Sequence, residues 1–111
     1  MLDILSMHLK LDDGVLDQIR ERIEHGLDHF EQHILSGHIV LSDVNGPRGG
    51  ADKHCMVQLR LRGGVEIVVE EEGVELLSVA GRVADRVAVA VGRAVDKEKQ
   101  GRRSERRRSD D

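Results

Sequence analysis

Apolar positions recur in two rhythms along this chain, and the changes between them divide it into elements. From Leu2 to Leu9 a short apolar stretch partly alternates, which predicts a first strand. Asp12 or Asp13 then offers an N-cap, after which Leu16, Ile19, Ile23, Leu27, Phe30 and Ile34 follow at spacings of three and four. That stripe predicts one helix of roughly six turns, closed by Ser36-Gly37. Ile39-Val40-Leu41 marks a second strand over about 38–43. In a third, over about 52–62, Cys55, Val57, Leu59 and Leu61 alternate with Met56, Gln58, Arg60 and Arg62, giving one buried face and one wet, basic face. Gly63-Gly64 makes a tight turn into a fourth strand, where Val65, Ile67 and Val69 alternate with Glu66, Val68 and Glu70 as far as Glu71-Glu72-Gly73. From Val74 to about Lys99 the helical period returns, with Leu76, Ala80, Val83, Val87, Ala90 and Ala94 as the inward stripe.

The order β-α-β-β-β-α implies an α+β fold. Its four-stranded sheet carries both long helices on one face, the strand-helix-strand unit makes a right-handed crossover, and the other face is left to water. Leu77, Ala84, Ala88, Val91 and Val95 form a second apolar row on the last helix, more than one sheet face needs. Either the first helix covers this row or a partner does, a homodimer being one possibility.

Composition narrows the chemistry. A chain of 111 residues, 39% hydrophobic and 34% charged, supports one domain over about 1–100. With one phenylalanine and no tryptophan or tyrosine the core is aliphatic, and base-stacking platforms are excluded as the main recognition device. No run approaches the ~20 apolar residues that span a bilayer, so neither a signal peptide nor a membrane helix is expected, and a cytoplasmic location is. The single cysteine, Cys55, lies on the apolar face of its strand and is expected to be a buried core thiol. Net charge is −4, but residues 101–111 hold five arginines (102, 103, 106, 107 and 108) against Glu105, Asp110 and Asp111. This predicts an acidic body with a disordered, arginine-rich tail that either seeks phosphate or serves solubility.

The loop from Asp43 to Cys55 contains Asn45-Gly46-Pro47-Arg48-Gly49-Gly50 and Lys53. Phosphate loops run from a strand into a helix N-terminus, whereas this one joins two strands, so it is a shaped hairpin with Arg48 and Lys53 as its only link to anions. His25, His29 and His33 are spaced by four, as a two-imidazole metal site would be, but successive steps drift around a helix and prevent all three from converging. No metal or other cofactor is expected, and the same histidines offer a flank that turns positive in mild acid. The scattered Ser6, Ser36, Ser42 and Ser78 have no base beside them, so no enzyme is expected.

Several segments, taken in order, resemble the ribosome hibernation promoting factor family, the ribosome-associated translation inhibitors, in their short form without the extra dimerisation domain. They are Arg22-Ile23-Glu24 through His29-Phe30, Ile39-Val40-Leu41, Gly63-Gly64-Val65-Glu66-Ile67, and Glu75-Leu76-Leu77 leading to Asp85-Arg86-Val87. The hairpin Asp43-Val44-Asn45-Gly46-Pro47-Arg48-Gly49-Gly50 looks like the variant of one branch of that family. The resemblance covers about residues 2–97. It implies a fold similar to double-stranded-RNA-binding domains, lodged on the small ribosomal subunit across the messenger and transfer RNA channel. Arg22 matches a basic position of the first helix, and Arg86 and Arg93 match positions of the second. With Arg82 and Lys97 on the same helix, and Arg48 and Lys53 at the hairpin, these are the expected RNA contacts. Leu77 departs from a frequent tyrosine, and Val89, Gly92 and Ala94 stand where many members carry cations, so fewer phosphate contacts are expected here.

Overall fold

The structure, a computed structural model, describes residues 2–7, 11–43 and 53–109, with side chains as far as Glu98. The strands are β1 (Leu2–Met7), β2 (Ile34–Asp43), β3 (Lys53–Leu61) and β4 (Glu66–Gly73), and the helices are α1 (Asp13–Gly26) and α2 (Leu76–Ser109). The sheet order is β1-β2-β3-β4. β1 runs parallel to β2, the pair joined through α1, and the remaining pairs are antiparallel. This is the α+β order that the two rhythms predict.

α1 begins where the chain supplies a cap: Asp12 Oδ1 accepts the Val15 N–H at 2.8 Å, satisfying one of the first-turn donors. It ends earlier than its stripe suggests. Gly26 is its last residue, and the chain tightens into a 3-10 turn over Asp28–His33, with the Leu27 N–H on Glu24 O and the Phe30 N–H on Leu27 O. Spacings of three fit a 3-10 turn as well as an α-helix, so Leu27 and Phe30 continued the stripe without continuing the helix. β2 therefore starts at Ile34 rather than near His38, because Ile34 is buried and paired with Leu61, and the Arg62 N–H donates to His33 O. Gly37 is no helix stop. It lies inside β2, where an added Cβ would come within 2.5 Å of both Leu2 and Leu59.

The β3 alternation holds: Cys55, Val57, Leu59 and Leu61 are buried, as are Ile39 and Leu41 beside them and Val69 on β4. Ile19 and Ile23 of α1 and Val79, Val83, Val87 and Val91 of α2 close this layer from above. The opposite face is open, with Leu5 and Val68 more than half exposed and Arg60 beside Glu66. Between β3 and β4, Gly63 and Gly64 have φ of 93° and 88°, a left-handed pair that suits glycine.

The second apolar row of α2 is spent inside the molecule. Ala84, Val91 and Val95 belong to the core, and Ala88 is half-buried. α1 comes close enough that a Cβ on Gly26 would lie 3.5 Å from Ala84 O and 3.8 Å from Ala88 Cβ, while one on Gly92 would lie 3.4 Å from the Phe30 ring. The row offered as a partner surface is thus covered by α1 and the 3-10 turn, leaving Leu77, at 43%, as its exposed member. The backbone of α2 continues to Ser109 through the stretch for which composition suggests a disordered tail.

Candidate nucleic-acid interface

Arg82, Arg86, Arg93 and Lys97 fall at spacings of four, seven and four, so α2 presents them along one exposed flank. The flank leans on β4. The Arg82 guanidinium donates to Glu72 O at 2.8 Å and that of Arg86 to Glu70 O at 3.0 Å, Arg86 also meeting the Glu71 carboxylate at 3.2 Å. Arg93 and Lys97 are exposed. α1 adds Arg22, whose guanidinium donates to Asp85 Oδ1 at 2.8 Å and is thereby held beside the α2 flank. Five of the seven expected cations are brought to one side of the helical layer. Asp85, 72% exposed in its side chain, stands among them and competes with any phosphate for Arg22. That competitor follows from position alone, since Asp85 is three residues after Arg82 and adjacent to Arg86, yet the pairing with α1 needed the helix crossing to be known.

The hairpin cations stand apart. Lys53 is at the start of β3, opposite Gly73, with its Nζ 3.1 Å from Asp43 Oδ2 and its side chain only 26% exposed. Arg48 and the rest of the loop over 44–52 lie outside the described residues. The histidines are dispersed by the early end of α1. His25 is on that helix, facing Asp28 at 3.5 Å, whereas His29 and His33 belong to the 3-10 turn, where a spacing of four no longer shares a face. Among the described residues no set of three histidine, cysteine or acidic side chains is placed to hold a metal ion. Burial pushes the Cys55 thiol up to about 12, which suits a core residue and not a nucleophile. Among the described residues no helix is long and apolar enough to cross a membrane.

The family described as sigma 54 modulation protein / S30EA ribosomal protein matches residues 6–104. The chain belongs to this family. The S30EA family is one of ribosome hibernation and modulation proteins, in general non-enzymatic. No curated protein matches the chain. Two solved structures share the S30EA fold seen here. The N-terminal domain of Protein Y from Thermus thermophilus superposes with a TM-score of 0.66 at 23% identity, over 82% of this chain and 93% of that one. A ribosomal subunit interface protein from Coxiella burnetii superposes with a TM-score of 0.65 at 12% identity, over 86% and 97%. At such identities the likeness establishes the fold and leaves the cationic flank to be argued from this chain's own residues.

Proposed function

We propose that this S30EA protein binds the small ribosomal subunit through ribosomal RNA and blocks translation by filling the messenger and transfer RNA channel while ribosomes are stored. The location would be the cytoplasm. The observation that carries the proposal is the joining of two helices' cations on one surface, with Arg22 clamped beside Arg82 and Arg86 and followed by Arg93 and Lys97. Side chains in line at helical spacing track a phosphate backbone, and each phosphate neutralised releases condensed counterions. The chain has no tryptophan or tyrosine, and the ring of its one phenylalanine, Phe30, lies against Gly92, so contact is mainly with backbone and shape rather than with stacked bases.

The same geometry sets the strength. Arg22 must leave Asp85 and Arg86 must leave Glu71, and exposed pairs of this kind contribute about 0.2–1 kcal/mol each, so exchange for phosphate is affordable but not free. Val89, 54% exposed, interrupts the flank with an uncharged position. Binding is accordingly steeply salt-dependent and weaker than a full row of cations would give. Sedimentation of the purified protein with small subunits at low and at physiological salt tests this: co-sedimentation that salt reverses is expected, and its absence at low salt would refute the proposal.

A further inference from the structure

β4 is an edge strand, and its outward backbone groups are treated in two ways. Val65 O accepts from the Leu61 N–H, so odd-numbered residues of β4 bond β3 and the even-numbered ones, Glu66, Val68, Glu70 and Glu72, turn their N–H and C=O groups outward. Arg82 covers Glu72 O and Arg86 covers Glu70 O. Four residues along α2 advance about 6 Å, and two residues back along β4 advance nearly the same, so the next step of this ladder falls at residues 89–90 opposite Val68. There the ladder stops. Val89 and Ala90 have no donor to offer, and among the described residues no hydrogen bond reaches the outward groups of Val68 or Glu66. In place of a third arginine lies an open groove of about 430 Å³ lined by Val68, Val69, Val89 and Ala90, with Asp85, Arg86 and Arg93 around it. Val68 and Val89 are each 54% exposed.

An uncovered strand edge beside an apolar groove selects an extended polypeptide, since main-chain bonds to the edge give affinity and alternate side chains give specificity. Charge selects which one. On the open face Val68 is flanked along its strand by Glu66, opposite Arg60, and by Glu70, which meets His54 Nε2 at 3.3 Å, and both carboxylates are exposed enough to take a second cation from an added strand. On the helix face it finds Val89 and Ala90 between Arg86 and Arg93, which leave room for small uncharged side chains and none for a further cation. We infer that the β4 edge around Val68 is a docking site for an extended basic protein segment of the pattern Lys-small-Val-small-Lys, seated where Val89 interrupts the cationic flank. A second copy pairing through the same edge about a two-fold axis centred on Val68 is disfavoured, because it would set Glu66 against Glu70 twice. Nucleic acid is disfavoured by the same two carboxylates and by the demand for backbone amides.

The test is fluorescence anisotropy of a dye-labelled peptide containing Lys-Ala-Val-Ala-Lys, titrated with the full chain. Saturable binding is expected, weakened at least about tenfold when both lysines become glutamates, when the central valine amide is N-methylated, or when Val89→Arg extends the ladder over Val68. No saturable binding up to about millimolar protein, or binding indifferent to both peptide changes, would overturn the inference. The N-methylated peptide works on unaltered protein, so the outcome does not hang on the folding of Val89→Arg. Sedimentation with small subunits is a separate measurement, and either proposal can fail without the other.

Discussion

The two sides of α2 hold the molecule together by different means. Toward α1 the helix relies on shape: Gly26 nears Ala84 and Ala88, Gly92 nears Phe30, and Val91 is fully buried between the layers. Toward β4 it relies on reach, with Arg82 and Arg86 spanning to strand carbonyls from exposed positions. The close side tolerates almost no change of volume or charge, because a packed interior has no slack. The far side is solvated and exchangeable, which is what a surface needs if its cations are to trade protein acceptors for phosphate. Stability and recognition are thus divided between opposite flanks of one helix.

Substitution on the close side gives the largest contrast. Val91→Glu places a carboxylate at a position with no exposure and should cost about 4 kcal/mol or more, enough to abolish cooperative thermal unfolding in circular dichroism. Survival of a folded Val91→Glu protein would mean that α1 does not cover the row.

An intermediate effect comes from Cys55, in the layer beneath the helices. Its thiol is raised from 9.0 to about 12, so the folded state keeps a proton that the unfolded chain releases. Its contribution to stability is full below the ordinary thiol range and is lost as pH rises through about 12. Urea midpoints should therefore fall between about pH 9 and 12, and Cys55→Val, close in volume, should flatten that decline. Equal decline in both proteins would exclude the thiol as its cause.

On the far side the effect on stability should be smallest. Replacing Arg82 and Arg86 together by alanine removes exposed contacts contributing about 1 kcal/mol or less each, and should move the melting temperature by only a few degrees. The same change should lower the log-log salt slope of small-subunit binding by up to about two contacts. A large loss of stability with an unchanged slope would reverse the roles assigned to the two sides.

How far the sequence reached differs between fold and site. The β3 alternation from Cys55 to Leu61 named the buried face correctly, since a half-buried strand must alternate whatever its neighbours are. The stripe through Phe30 and Ile34 overran α1 because residues three apart satisfy both kinds of helix, and only the pairing of Ile34 with Leu61 decided against continuation. At the site, spacing alone placed Arg82, Arg86 and Arg93 on one flank, which Lys97 extends. It did not show that Arg22 is held by Asp85, that Lys53 sits against Asp43, or that β4 carbonyls cap two of the arginines, because each is a contact between elements distant in sequence.

By itself, then, the sequence determined what periodicity can encode: the order of elements, the aliphatic core, and the row of cations on one flank of the last helix. Only the tertiary structure decided where the first helix stops, what covers the second apolar row, and where the arginine ladder along β4 breaks. Periodicity is a property of each segment alone, whereas these depend on the distances at which segments meet, which are fixed when the elements pack.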